Sequence, residues 1–405
     1  MDHGVKLRRI PEDAYPDYYR EVIFKSYKWD PQNFDENTIA NHAVLMSRAT
    51  ADWLEDMSER LAEETMMLEE TLAKRPDLVR RLSLPRKTFS ALMHNLSYDR
   101  RGHVRFMRFD FHPTTDGWTL SEVNSDVPGG LAESAIMTRI AEQFFNGYAR
   151  RGNVALSLLR AFTELTGQNS VIAFLHCTSY AEDRQVVQFT GDYFEKNGLI
   201  AIYAAPDHIR WEAGRARSIL IGAEGKVDGI IRYFPVELIE GLPYSSGWRG
   251  FFSAETPSCN HPIVTFTQTK RLPLVWDELD VHVPTWKALL PTTTDPRGAP
   301  ADFIFKPALG RVGDGISIRE AIDAKELARI EKDVRRHSKD WVAQRRFQSS
   351  PLFDEDGVPK HLCVGVHTVN GKAAGFYGRV SRKPLINELA EDIAVLCEED
   401  RSERV

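Results

Sequence analysis

Four side chains with useful chemistry fall on what reads as a single β-hairpin in this 405-residue chain. Residues 104–111 alternate apolar and polar and read as a strand, His112 to Gly117 as a turn, and residues 118–124 as a second strand. Side chains two apart on a strand share a face, so Arg108 lies beside Asp110, and Glu122 beside Asn124. A turn centred near Asp116-Gly117 sets Asp110 opposite Glu122 and Arg108 opposite Asn124. Directly opposed carboxylates repel. A divalent cation would remove the conflict, because hard ions take carboxylate and amide oxygens together. Two unrelated carboxylates on a solvated face, or a pairing one residue out of step, would give the same string.

A second constellation is Lys306-Pro307-Ala308-Leu309-Gly310-Arg311-Val312-Gly313-Asp314-Gly315, at the end of the apolar segment Phe303-Ile304-Phe305. Glycines let backbone N–H groups turn inward as an anion nest, and the ammonium adds a point charge. The spacing is neither Gly-x-Gly-x-x-Gly nor a P-loop, and a plain turn is the simpler alternative. Arg379, in Gly375-Phe376-Tyr377-Gly378-Arg379, offers fixed donors for phosphate or carboxylate, or is a surface residue. His176-Cys177 is set aside as a nucleophile and base, since adjacent strand residues face opposite ways. His112 reads as a turn histidine rather than a ligand.

Around these lie the elements that must hold them. Ile39, Ala43, Met46, Ala49, Trp53, Met57, Leu61, Leu68 and Leu72 recur at helical steps, with Asp35 or Asn37 as a cap and Pro76 beyond the end. A helix is expected near 131–146. Residues 170–205 read as strand, helix, strand, with further strands at 218–222 and 228–234. A short helix near 271–279, a helix at 325–336 and strands at 303–306, 341–347, 361–369 and 373–380 complete the outline.

Composition narrows the classes. With 42% hydrophobic and 27% charged residues the chain is an ordinary globular one, too long for a single core. No apolar run is long enough for a membrane helix, and the N-terminus carries no secretory pattern. A net charge of −6 gives no general attraction to nucleic acid, and the basic stretches near 80–87 and 335–346 read as solvated faces. Cys177, Cys259, Cys363 and Cys397 lack zinc spacing and read as reduced thiols, which points to the cytoplasm.

Taken in order, the segments resemble the glutathionylspermidine synthase family of ATP-grasp ligases. The resemblance rests on Arg108-Phe109-Asp110-Phe111 followed by Glu122-Val123-Asn124-Ser125-Asp126, and on Asp228-Gly229-Ile230-Ile231-Arg232-Tyr233-Phe234-Pro235-Val236-Glu237. Lys270 in Thr267-Gln268-Thr269-Lys270-Arg271-Leu272, Lys306-Pro307, Gly310-Arg311, Gly313, Gln344 and Gly378-Arg379 extend it, as does Glu182-Asp183-Arg184. It runs from about residue 15 and covers the synthetase part, with no amidase-like segment ahead of it.

The resemblance implies a mixed α+β and α/β fold, ATP-grasp-like and circularly permuted. Residues 1–100 would form a helical N-terminal region, and 101–165 a metal-binding hairpin and helix. Residues 166–262 would be an inserted α/β substrate-side domain, and 263–405 the nucleotide-binding lobes. It implies ATP and two Mg2+ ions, with Asp110, Glu122 and Asn124 as metal ligands. Arg108 would contact phosphate and Arg379 would steady the transferred phosphoryl group. Lys270, Lys306, Gly310, Arg311 and Gly313 would hold the phosphates, Gln344 would line the adenine site, and Glu237 and Asp126 would stand on the substrate side. The chemistry implied is amide formation between a small-molecule acid and an amine through an acyl phosphate. Neither nucleic acid nor membrane is an expected partner, and a homodimer is an open assembly.

Three departures bear on the co-substrates. Val127-Pro128-Gly129-Gly130 replace hydroxyl residues, Val380-Ser381-Arg382-Lys383 replace an acidic stretch, and Thr269 replaces an asparagine. A ligase joining a different acid and amine, such as a peptide, and a non-catalytic binding protein of the same fold remain as alternatives.

Overall fold

A computed structural model describes residues 2–399 apart from 30, 34, 179, 180 and 312. Its organising element is a nine-stranded sheet. Along its main path run Val5–Arg9, Ile39–Met46, Glu391–Glu398, Lys372–Ser381, Pro359–Val369, Phe106–Thr114 and Gly117–Asn124. All neighbours on that path are antiparallel except Ile39–Met46 beside Glu391–Glu398.

Strand periodicity gives the sheet two unlike faces. Phe109, Phe111, Leu120, Val123, Leu362, Val364, Val366, Phe376, Val380, Ile393 and Val395 lie in one buried cluster with Leu54, Leu61, Ala62, Met66 and Leu68. Those last five belong to the Arg48–Leu72 helix, which packs across the sheet. Each large side chain so buried contributes roughly 1.5–3 kcal/mol. The alternate positions on the same strands, Arg108, Asp110, Cys363, Gly365, Tyr377, Arg379 and Asp392, share the other face. At one end of that face the Tyr15–Lys25 helix sets Tyr18 and Val22 among Ala43, Ala394 and Leu396.

The helical stripe expected from residue 39 begins later. Ile39–Met46 is a strand, and the helix starts at Arg48 with Ser47 as its cap, its side chain accepting from Thr50 N. Residues 39–46 are buried at nearly every position, and a fully buried strand carries no helical or alternating signature. The 131–146 helix is broken into π, α and 3-10 turns over 133–144. The 271–279 helix is two 3-10 turns, the first containing Pro273. The strand expected at 218–222 lies earlier, at Arg215–Ser218.

Of the four smaller sheets, two bear on the site. Val171–His176 pairs in parallel with Ile200–Ala204 and Gly229–Tyr233, the last of which pairs with Ser258–Cys259. The other joins Thr293–Thr294, Trp341–Arg345 and Phe303–Pro307. Among the described residues, no helix is long and apolar enough to cross a membrane.

Candidate active site

The hairpin has the expected register at its chemical end, by a route the string did not reveal. Its strands extend to Thr114 and Gly117, so the loop is only Thr115 and Asp116. So tight a turn alone would slide Asp110 off Glu122. A bulge between Asp110 and Phe111 restores the offset, leaving Asp110 opposite Glu122 and Arg108 opposite Asn124. The extra residue is Ser121. Its carbonyl, turned out of the ladder, accepts from Lys306 Nζ at 3.3 Å.

The opposed carboxylates have separate cationic partners. Arg108 grips Asp110 with two parallel bonds of 2.7 and 2.8 Å, and Asn124 Nδ2 donates to the same carboxylate at 2.9 Å. Glu122 pairs with Lys270 at 3.0 Å, and Lys270 also donates to the Gly310 carbonyl at 2.8 Å. One ammonium thus ties the hairpin to the glycine-rich loop. Burial opposes the charge on Glu122, yet Lys270 and Lys306 hold its carboxyl below the usual range. Burial likewise opposes the Arg108 charge, and Asp110 more than restores it.

Lys306, 4% exposed, is the sensitive member. Burial pushes its ammonium down to about 8, with Glu122 pulling up and Lys270 pushing further down. It deprotonates as pH rises through that value, so affinity for a phosphate-bearing ligand is expected to be flat below about pH 8. Above it, Kd should rise about tenfold per pH unit. Calorimetry with ATP and magnesium across pH 6.5–9.5 checks this, and Lys306→Met should bind weakly without that slope.

Lys306 and Gln344 share a face of the Phe303–Pro307 sheet, since Lys306 pairs with Val342 and Ile304 with Gln344. Gln344 is buried and donates to Thr293 Oγ1 at 3.0 Å. The glycine-rich loop takes positive φ at Gly313 and Gly315, while Val312 lies outside the described residues. A Cβ on Gly313 would stand 2.2 Å from the Ile386 carbonyl, so only glycine fits there. Arg311 reaches Glu237 at 2.6 Å. Burial holds the Glu237 carboxyl above its ordinary range. Asp183, at the start of the Ala181–Glu195 helix, is pushed up to about 6 by burial and by Glu182.

Asp126 is 1% exposed and fully engaged: it pairs with Arg232 and accepts from Val236 N at 2.8 Å. It fastens the hairpin end to the parallel sheet. A polar knot beside it does the same work. Arg105 pairs with the fully buried Glu69 at 2.7 Å and donates to the Ser125 carbonyl at 2.6 Å. Gln268 Oε1 accepts from the backbone N–H groups of Ser125 and Asp126, which ties the Lys270 segment to Asn124.

Arg379 is half-buried rather than superficial. It donates to the Asn387 carbonyl at 2.7 Å and stands 3.8 Å from Asp392 across the ladder. His112 is also buried, within the first strand, and burial with Lys306 nearby lowers it to about 4. His176 and Cys177 stay outside this cluster, and none of the four cysteines forms a disulfide.

Two participants escaped the sequence reading. Tyr377 lies under the Arg108 guanidinium, 4.8 Å from ring centre to cation. Gly365, opposite both Asp110 and Tyr377, leaves room for that arginine: a Cβ there would sit 2.7 Å from Arg108 Cδ. A glycine inside Cys363-Val364-Gly365-Val366 is the signal that could have found it. Gly365→Ala is expected to displace Arg108 and weaken binding of ATP with magnesium about tenfold or more. Melting should change by only a few degrees, which calorimetry and a thermal scan will check.

Among the described residues no three His, Cys, Asp or Glu side chains group as a metal cage. Asp110, Glu122 and Asn124 instead form a partial set of hard oxygens, with Asn124 Oδ1 left over after its amide binds Asp110. That suits magnesium, which takes one or two carboxylates and completes its shell with water and phosphate. Arg108 and Lys270 pair with these carboxylates, so an ion held here would share them with both cations.

No curated protein sequence matches the chain. A solved glutathione synthetase-like effector from Globodera pallida shares the fold at 9% identity and TM-score 0.64, covering 95% of this chain and 98% of that one. A putative gamma-glutamylcysteine synthetase from Methylobacillus flagellatus is 13% identical over 84% and 87% of the two chains, but its TM-score of 0.43 carries no weight. The family described as glutathionylspermidine synthase preATP-grasp matches residues 9–396, nearly the whole chain, and this protein is a member of it.

Proposed function

We propose that the chain is an ATP-dependent carboxylate–amine ligase that forms an amide through an acyl phosphate. We propose too that its fold is a circularly permuted ATP-grasp, with the nucleotide between the hairpin face and the Phe303–Pro307 sheet. The observation that carries this reading is the double engagement of Lys270 with Glu122 and the Gly310 carbonyl, beside the buried Lys306. Two lysines and an arginine brought against two carboxylates and an amide suit a triphosphate accompanied by magnesium.

In this reading Asp110, Glu122 and Asn124 hold two magnesium ions, which neutralise charge on the phosphates when bound. Lys270, Lys306 and the loop containing Gly310, Arg311 and Gly313 cradle the phosphates. Gln344 lines the base side, and Arg108 and Arg379 face the transferred group. A substrate carboxylate attacks the γ-phosphorus in line and ADP leaves. An amine then displaces phosphate from the acyl carbon and loses a proton. Positioning and charge neutralisation suffice, so no protein nucleophile is needed. Residues 166–262 form the substrate side, with Glu237 facing the co-substrates and Asp126 as the buried support behind it.

A different acid and amine from those of the family's name is favoured by one feature. The 127–130 loop offers backbone in place of hydroxyls. The Gly129 carbonyl is already taken by Arg108 and by His367, each at 3.0 Å. A Cβ on Gly130 would meet the Tyr377 ring at 2.5 Å, so position 130 has no room for a side chain. The test is phosphate release with panels of acids and amines, products read by mass spectrometry. ATP-dependent condensation of one pair supports the ligase. Absence of magnesium-dependent ATP binding would remove it.

A further inference from the structure

Next to Arg379 lies an ion cluster around the buried Asp392 with no assigned role. Lys28, in the coil after the Tyr15–Lys25 helix, pairs with Asp392 and donates to Glu133 at 3.2 Å. Asp392, 5% exposed, accepts from the Tyr377 hydroxyl at 2.5 Å, and the Tyr377 ring is the one stacked under Arg108. Arg379 is the direct cross-strand neighbour of Asp392, yet its Nε, 3.8 Å from that carboxylate, is buried and has no hydrogen-bond partner. Backbone carbonyls of Asn387 and Ala390 hold Arg379 Nη2 instead.

An unpartnered guanidinium N–H beside a buried carboxylate is an unstable neighbour. The two already form an ion pair at 3.8 Å, which a small rotation of Arg379 would close into a charge-assisted hydrogen bond, strong where water is excluded. What prevents it is the neutralisation of Asp392 by another cation. The geometry points to Lys28 as a positioning residue: by satisfying Asp392 it keeps Arg379 on its carbonyl anchors, free to face the transferred group. This rests on the ligase reading for its consequence, but not for the geometry it predicts.

Two readouts test it on the full-length protein. In steady-state kinetics with ATP, magnesium and the active acid–amine pair, Lys28→Met should lower kcat about 10²-fold, the scale of a catalytic group misplaced by an ångström. The KM for ATP should stay within about threefold, because Lys28 touches none of the phosphate-binding residues. Lys28→Met/Asp392→Asn should recover most of kcat, since a neutral amide no longer captures Arg379, and Lys28→Arg should recover part. A purely structural Lys28 gives the opposite pattern, with the double variant no better than the single one, and that result overturns the proposal.

The second readout needs no turnover. The Arg379 Nε–H resonance of arginine-labelled protein, assigned by its loss in Arg379→Lys, should shift in Lys28→Met and return in the double variant. An unshifted resonance overturns the inference even if the protein is a ligase. A wild type that hydrolyses no ATP defeats the ligase reading and leaves the resonance to decide the position of Arg379. If Lys28→Met does not fold, Lys28→Arg and the double variant carry the same comparison.

Discussion

Asp110→Asn is expected to lower ATP turnover about 10³-fold with the protein still folded, and Glu122→Gln to do the same. Each change removes a hard anionic oxygen from the hairpin face where Asp110 and Glu122 stand opposed beside Asn124. Their effect on stability runs against what the hairpin suggests in isolation. Two opposed carboxylates predict that neutralising one relieves repulsion. In the folded protein each already has its own cation, Arg108 for Asp110 and Lys270 for Glu122. Asp110→Asn therefore leaves a largely enclosed guanidinium, 12% exposed, without its charged partner, and a loss of about 1–3 kcal/mol is expected. Phosphate release and thermal melting read the two effects separately. Wild-type turnover in either variant would show that the metal is held elsewhere.

Arg379→Ala should act on a different quantity. Its guanidinium is anchored by backbone carbonyls and lies across the ladder from Asp392, whereas Lys270 holds the Gly310 carbonyl. An interaction made mainly in the transition state lowers kcat and leaves ground-state affinity alone. A fall in kcat of about 10²–10³-fold, with the Kd for ATP within a few-fold, is expected. Single-turnover kinetics beside calorimetry separates the two. If affinity alone fell, Arg379 would be a binding residue and the phosphoryl-transfer role would pass to Arg108.

Much of the candidate site was legible because it lies on a hairpin. Alternation at period two places Arg108 beside Asp110 and Glu122 beside Asn124, and the bulge at Ser121 brings the two pairs onto one face. Lys306 was legible as a lysine that ends an apolar strand before a glycine-rich loop, whereas Gln344 came through the family resemblance. The Ile39–Met46 strand was not, because burial on both faces erases alternation and its residues mimic the start of the following helix. Gly365 and Asp392 were missed for a different cause. Gly365 lies within an apolar run and Asp392 follows Glu391 at the start of one, and the role of each depends on which side chain arrives from another strand. Lys28 has no sequence signal at all, since its partners lie more than a hundred residues away.

Residue order by itself thus determined which side chains share each strand face, and through the ordered motifs the family, since both depend on local spacing. Only the tertiary structure decided which cation meets which carboxylate. It supplied the bulge at Ser121 that keeps Asp110 opposite Glu122, the lysine that spans hairpin and loop, and the ammonium that satisfies Asp392. Those pairings join segments far apart in the chain, and electrostatic contacts between such segments exist only once packing has excluded water and fixed the distances.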